Sequence, residues 1–305
     1  MKKIGWIGVG LMGNPMANRL LAKGYEIVVL HRASGSTDQI IADGAIGVDT
    51  VAEMAEQSDY IFTMICDPAI LIDAAETIRS IGSRNRVKVL VDMSTLSPDD
   101  SIIAAKALDE AGTAFLRAPV TGSVTYAKDG TLGIMVSGPS DTIEEIRPVF
   151  EVLGNRMWIL GSGEESRYYK VAINMMLSTI MESFAEAIVF GEKAGLDYDM
   201  LIDLIADSAA AAPTVKYKSP LLKARDFSPM SAASNAEKDN GIFVDLASKL
   251  GAAVPTSAYV RQLYASMKGR GMDRADLCAI LLLLEEQCGL HVGDVERVKR
   301  GEKLR

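Results

Sequence analysis

Along the first half of the chain, short runs of apolar residues alternate with longer stretches whose apolar positions recur every three or four residues. Short runs read as strands and the longer stretches as helices, and their alternation is the pattern of βαβ units built on a parallel sheet. The pattern predicts strands at Lys3–Gly8, Glu26–Leu30, Tyr60–Ile65, Lys88–Asp92, Ala114–Arg117 and Gly133–Ser137. One more strand is expected between Val149 and Trp158, and helices fill the gaps, among them Met12–Lys23 and Pro98–Ala111.

The period changes after Gly161-Ser162-Gly163. From Glu164 to Ala194 there is no proline, and Val171, Met175, Ile180, Phe184 and Ile188 recur at helical spacing. This predicts a long, mostly buried helix ending at Gly195. Asp197 is a candidate N-cap for a segment running to Ala210, and further helices follow to about Gly289, separated by Pro213, Pro220, Pro229 and Pro255.

The first strand runs straight into Gly8-Val9-Gly10-Leu11-Met12-Gly13, which opens a helix. In that context the three glycines serve a tight turn, a close approach of backbone to a pyrophosphate and close helix–sheet packing, and the phosphate charge meets free N–H groups at the helix start. A glycine-rich turn without a ligand is the plainer reading, but the strand before and the helix after favour a dinucleotide. Gly8, Gly10, Leu11, Met12 and Gly13 are the cofactor residues on this reading. The expected fold is therefore α/β: an N-terminal Rossmann domain over residues 1–162, joined through the long helix to an all-α C-terminal domain over 163–305.

An acid some ~20 positions further on would hold the ribose 2′-hydroxyl of NAD. That place reads Leu30-His31-Arg32-Ala33-Ser34, with no acid before Asp38. Arg32 can pair with a 2′-phosphate and Ser34 can donate to it, with His31 beside them at the adenosine end. An ordinary surface arginine is the alternative. The missing acid and the present base together favour NADP, with NAD possible.

Composition narrows the partners. The 305 residues have room for two domains, and 49% hydrophobic with 24% charged residues is ordinary for a soluble globular protein. A net charge of −8 argues against nucleic acid, though not against a small anionic substrate in a locally basic pocket. The three cysteines form no CxxC pair, so neither a disulfide framework nor a metal site is expected. Glycines interrupt the N-terminus too early for a signal peptide, and no apolar run approaches the ~20 residues of a membrane span. The expected location is cytoplasmic, without a membrane partner.

Hydride exchange with a carbonyl needs a group that moves the hydroxyl proton. There are only two histidines. His31 belongs to the adenosine end and His291 lies in a poorly patterned tail, so a His–carboxylate dyad is hard to build. The Tyr-x-x-x-Lys spacing occurs at Tyr264–Lys268, deep in the helical half. Lys170 is the remaining candidate, near the start of the long helix, with Asn174 four residues on and on the same face. Partial desolvation there favours the neutral amine needed for base work. A lysine snorkelling from a buried helix fits the spacing equally well.

Several separate motifs carry a resemblance to a known family over nearly the whole chain. Ile7-Gly8-Val9-Gly10-Leu11-Met12-Gly13-Asn14-Pro15-Met16-Ala17, Asp92-Met93-Ser94-Thr95-Leu96-Ser97-Pro98, Ala118-Pro119-Val120-Thr121-Gly122-Ser123 with Gly130-Thr131-Leu132, Gly161-x-Gly163…Lys170-x-x-x-Asn174 and Glu237-Lys238-Asp239 all resemble signatures of the β-hydroxyacid dehydrogenases, which include 3-hydroxyisobutyrate dehydrogenases and glyoxylate and succinic semialdehyde reductases. The resemblance implies hydride transfer between NADP(H) and a small β-hydroxyacid or semialdehyde. Lys170 is then the general acid/base, Asn174 orients the substrate, and Thr121, Gly122 and Ser123 hold its carboxylate. Thr95 and Lys238 then lie near the nicotinamide, and Met64 and Ile65 form a further cofactor loop. A homodimer or homotetramer is implied as well.

The chain departs from the family at Arg117, where an acid is usual, at Ser123 in place of a second glycine, at Met64-Ile65-Cys66, and at Tyr168 and Tyr169. The Gly122-Ser123 pair is closer to the glyoxylate and semialdehyde reductase branch. An imine reductase, which usually lacks the lysine, a 6-phosphogluconate dehydrogenase, whose helical domain is far larger, and a non-catalytic cofactor-binding module are the competing readings.

Overall fold

The computed structural model describes residues 2–31, 37–290, 292–293, 295–299 and 304. Its first element is the strand β1 (Lys3–Ile7), followed by α1 (Gly13–Ala22), β2 (Glu26–Leu30), α2 (Asp38–Ala42), β3 (Ile46–Val48), α3 (Val51–Gln57) and β4 (Tyr60–Thr63). Then come α4 (Pro68–Ser80), β5 (Val89–Asp92), α5 (Pro98–Glu110) and β6 (Ala114–Arg117). These six strands form one sheet in the order β3-β2-β1-β4-β5-β6, every neighbouring pair parallel.

Alternation of side chains explains why nearly every strand residue is apolar. Ile4, Trp6, Tyr60, Phe62, Val89 and Val91 enter the core on one face of the sheet, while Ile7, Ile61 and Leu90 enter the core on the other. A parallel sheet covered on both sides has no face left for polar residues. Trp6 and Phe62 stack across β1 and β4 with centroids 5.6 Å apart, and Phe150 meets Phe62 edge-on at 6.4 Å. Strand β3 escaped the sequence pattern because three residues with a central glycine, Ile46-Gly47-Val48, make no apolar run long enough to stand out.

The expected strands at Gly133–Ser137 and between Val149 and Trp158 exist, but they do not extend the main sheet. After β7 (Val120–Thr121) and α6 (Val124–Asp129), β8 (Leu132–Val136), α7 (Ser140–Leu153) and β9 (Gly154–Ile159) follow, and the strands make a separate sheet in the order β7-β8-β9. Here β7 is antiparallel to β8, so this part is mixed where an all-parallel layout was expected.

The long helix α8 runs from Glu165 to Lys193, and α9 (Tyr198–Asp207), α10 (Pro213–Lys223), α11 (Ala233–Leu250), α12 (Pro255–Gly269), α13 (Ile280–Gln287) and α14 (Val295–Lys299) follow it. Asp197 caps α9 by accepting from the Met200 N–H at 2.8 Å. The chain packs as two compact units, Met1–Lys170 and Val171–Arg305, with the division inside α8 itself. The helical unit has its own core, with Met181, Phe184 and Ile188 of α8 packed among residues such as Phe227, Tyr264 and Leu281–Leu283.

The expectation that α8 is mostly buried is overturned. Its most apolar stretch would suffice, by length and composition, to cross a membrane, yet only 39% of that window is buried. The inward face is core, as Met181, Phe184 and Ile188 show, but Tyr169, Ile173, Met176 and Phe190 are exposed. A helical period identifies a face only when the other face is polar, and here both carry apolar residues.

Candidate active site

The strand order reverses between β1 and β4, and in open α/β sheets the crevice at that point, outside the carboxyl ends of the strands, is where nucleotides bind. The loop Gly8–Gly13 leaves β1 there. Gly8 has φ +99°, and a Cβ on it would lie 2.2 Å from the Met64 carbonyl oxygen. A Cβ on Gly13 would fall 1.8 Å from the Gly8 carbonyl oxygen, so helix and strand approach too closely for any side chain. Around Gly10 there is no heavy atom within 4 Å of such a Cβ. Two glycines thus close the turn and the third leaves an open flank.

The start of α1 completes this cradle. No side chain caps the helix and its first turn has no acid, so the positive end of its dipole is left for an anion. Leu11 is exposed over the loop. These residues fit the pyrophosphate of a dinucleotide. Of the adenosine-end candidates, Arg32 and Ser34 lie outside the described residues. His31 follows β2 directly, its N–H donating to the Val48 carbonyl at 2.7 Å and its Nε2 3.9 Å from Asp38 Oδ1.

The loops after β4 and β5 reach the same edge. Met64 N–H donates to the Ile7 carbonyl at 2.8 Å, and Ile65 N–H to Ser94 Oγ at 2.9 Å. Thr95 follows, half-buried. Beneath them Asp92, fully buried, accepts on Oδ1 from Thr63 Oγ1 at 2.5 Å and from the Ser94 N–H at 3.3 Å. Its Oδ2 accepts from Arg167 Nη2 at 2.8 Å. Arg167 Nε donates to Glu164 Oε2 at 3.1 Å, and Arg117 Nε donates to Glu164 Oε1 at 2.7 Å. Burial pulls the Arg117 guanidinium below its ordinary pKa, with the Glu164 carboxylate opposing.

Gly122, with φ +129°, turns the chain from β7, where Thr121 sits, into α6. Ser123 holds the N-cap position of α6 without its hydroxyl capping the helix. Lys170 is 8% exposed on the opening turns of α8. In the helical unit Asn174 Nδ2 donates to Asp239 Oδ2 at 2.7 Å, and Lys238 Nζ lies 2.8 Å from Asp239 Oδ1. Neutral amide, carboxylate and ammonium are thereby gathered between α8 and α11.

Sequence reasoning missed Arg167, Glu164, the carboxylate of Asp92 and Asp239 as members of these clusters. The Glu164–Arg167 spacing is an i,i+3 pair and was legible as such. That it meets Asp92 and Arg117 depends on sheet and helix coming together. Among the described residues no group of three His, Cys, Asp or Glu is placed to hold a metal ion.

Residues 3–161 match the model of the NAD-binding domain of 6-phosphogluconate dehydrogenase, and residues 162–284 that of the NAD-binding domain of NADP-dependent 3-hydroxyisobutyrate dehydrogenase. The chain belongs to the β-hydroxyacid dehydrogenase family. It is 30% identical to the chloroplastic glyoxylate/succinic semialdehyde reductase 2 of Arabidopsis thaliana over 92% of this chain and 79% of that one. It is 29% identical to the 2-hydroxy-3-oxopropionate reductase of Escherichia coli over 93% of this chain and 97% of that one. The fold is similar to that of the Mycobacterium tuberculosis 3-hydroxyisobutyrate dehydrogenase solved with L-serine, with a TM-score of 0.82 at 26% identity, covering 93% of this chain and 99% of the other. The β-hydroxyacid dehydrogenase is thus an NAD(P)-dependent oxidoreductase of the hydroxyacid and semialdehyde class. An imine reductase from Bacillus cereus shares the fold more loosely, with a TM-score of 0.58 at 20% identity.

Proposed function

We propose that the protein reduces a short aldehyde-acid with NADPH, with Lys170 as the general acid and Asn174 beside it orienting the substrate. The observation that carries this reading is Lys170 itself: a lysine residue only 8% exposed, on the helix that also bears Asn174. A buried lysine gives up its proton more readily than a solvated one.

When bound, the nicotinamide supplies the hydride. Gly8, Gly10 and Gly13 would hold the pyrophosphate on the dipole of α1, and Met64, Ile65 and Thr95 would be the further cofactor residues. Gly122 and Ser123, with Thr121 before them, receive the substrate carboxylate. As the carbonyl carbon accepts the hydride, the C=O π pair moves onto oxygen, and the Lys170 ammonium donates its proton there. A hydroxyacid and a neutral amine result, and water returns the proton to Lys170. Charge growing on the oxygen is stabilised by the ammonium before the proton moves. Lys238 and Asp239 keep the Asn174 amide in one orientation.

The preference for NADPH rests on Arg32 and Ser34, and on the want of an acid between His31 and Asp38. The aldehyde-acid preference follows the relatives named above and the Gly122-Ser123 pair. The exposed apolar row Tyr169, Ile173, Met176 on α8 supports a homodimer or homotetramer, because exposed patches of this kind mark association surfaces. Two exposed free thiols, Cys66 and Cys288, support a reducing, cytoplasmic location.

The deciding experiment is Lys170→Met, assayed by NADPH oxidation against glyoxylate, succinic semialdehyde, 2-hydroxy-3-oxopropionate and a cyclic imine. Turnover of the aldehyde-acids is expected to fall by about 10²–10⁴-fold while NADPH binding, followed by its fluorescence, stays close to that of the parent. Retained turnover would remove Lys170 from the reaction, and a preference for the cyclic imine would favour the imine reductase reading.

A further inference from the structure

We propose that Arg167 is a positioning residue, which fixes Lys170 relative to the cofactor loops by clamping the first turns of α8 onto the end of β5. This rests on the reading of Lys170 as the general acid.

Arg167 is 1% exposed, and it stands three residues before Lys170, so the two side chains leave the same side of the helix on successive turns. Its guanidinium spans two carboxylates, Asp92 on β5 and Glu164 at the entrance to α8. Asp92 in turn holds Thr63 at the end of β4 and the Ser94 backbone, while Ser94 Oγ accepts from Ile65 N–H. One carboxylate therefore joins the loop carrying Met64 and Ile65, the loop carrying Thr95, and the helix carrying Lys170.

The far side of the clamp is closed as well. Arg117 holds Glu164 from β6, and Ser166 Oγ donates to the Arg117 carbonyl at 3.1 Å. Ser137 Oγ, at the end of β8, donates to the Gly163 carbonyl at 2.7 Å and lies 2.8 Å from Ser166 Oγ. These hydrogen bonds and ion pairs at the helix start are directed, and so set its rotation and height more closely than apolar packing alone would.

Stability alone is a poor reason for such a network. Desolvating paired charges offsets most of their attraction, and well-packed apolar residues commonly serve the fold as well or better. Arg167 also leaves Nη1 buried without a hydrogen-bond partner, a cost that an apolar side chain would avoid. What the charges supply is geometry, and a displacement of a reacting group by about 1 Å can cost around 100-fold in rate. Arg167 also stands one turn before Lys170, in a network whose other charges are Arg117, Asp92, Glu164 and Glu165. Removing Arg167 leaves an excess of carboxylate there, which holds the lysine proton more tightly.

The test compares Arg167→Met and Arg167→Lys with the parent and with Lys170→Met, each by thermal melting, NADPH fluorescence titration and the pH profile of kcat. For Arg167→Met, kcat is expected to fall about 30- to 100-fold at a temperature where the protein is fully folded, with NADPH affinity within about threefold. The basic limb of its pH profile should move up by about one pH unit. Arg167→Lys, keeping the charge but not the two-carboxylate reach, should restore the pH limb but only part of kcat. A loss of activity that follows the melting temperature alone, with an unmoved pH profile, would make Arg167 merely structural and overturn the proposal. If Arg167→Met does not fold, Arg167→Lys and Glu164→Gln are judged by the same readouts. An active Lys170→Met would instead bring down the role of the lysine, which is a separate failure.

Discussion

Asn174 on α8 donates its amide to Asp239 on α11 at 2.7 Å, and Lys238 lies against the other oxygen of the same carboxylate. An amide held through its nitrogen presents its carbonyl oxygen in one fixed direction, which an amide at the end of a solvated side chain does not.

Breaking that contact should reduce turnover more than binding. Asp239→Leu is expected to lower kcat by about 10- to 100-fold, because the charge-assisted hydrogen bond that orients the Asn174 amide, roughly 1.5–3 kcal/mol, is lost. Steady-state kinetics with saturating NADPH measure it. Parent-like kcat with only a raised KM would show that Asp239 contributes uniform binding and no orientation.

Gly13 is a sharper test of the cofactor cradle. Gly13→Ala drives a methyl to within 1.8 Å of the Gly8 carbonyl oxygen, so the loop has to move away from α1. A stability loss of roughly 2 kcal/mol or more is expected by chemical denaturation, with NADPH affinity weakened at least about tenfold. Gly10→Ala, whose Cβ meets nothing within 4 Å, should leave stability close to the parent and still impair NADPH binding. If Gly10→Ala binds NADPH normally, the open flank at Gly10 does not face the cofactor.

The cofactor preference is tested at Arg32. Replacing it by alanine removes the base opposite a 2′-phosphate, so the ratio of kcat/KM for NADPH over NADH should fall by about 10- to 100-fold, with the NADH value little changed. Equal losses with both cofactors would place Arg32 away from the 2′ position.

In the helical unit, burial and the neighbouring Glu186 push the Glu182 carboxyl up to about 7. A carboxyl that holds its proton more tightly folded than unfolded stabilises the protein at low pH and loses that contribution as pH rises through the folded value. The melting temperature should therefore decline between about pH 5 and pH 8, and Glu182→Gln, which cannot ionise, should flatten that decline and melt higher at pH 8. A slope identical to the parent would mean that Glu182 ionises freely in the folded chain.

The glycine loop, the strand before it and the helix after it were legible because each follows from local chemistry: a short continuous apolar run, a period near 3.6, and turns that only glycine makes. The long helix was legible by the same token, as were Lys170 and Asn174 as neighbours on it. Its burial was not, because Ile173, Met176 and Phe190 are as apolar as the residues on the packed face. Period alone cannot say which of two apolar faces the fold will cover.

What remained for the tertiary structure was whatever joins residues far apart in the chain. The sequence placed Arg117 as an isolated oddity, a base where the family usually has an acid, and read Asp92 only as the start of a motif. Folding brings β5, β6 and the start of α8 together, so that Arg117, Glu164, Arg167 and Asp92 become one buried chain of ion pairs. Likewise Asp239 lies 65 positions from Asn174 and meets it only because α11 packs beside α8 in the helical unit. Local propensity and period are written residue by residue, and so the elements and the cofactor loop follow from the sequence. A partner for a buried charge is chosen by the packing of whole elements, which no window of the sequence contains.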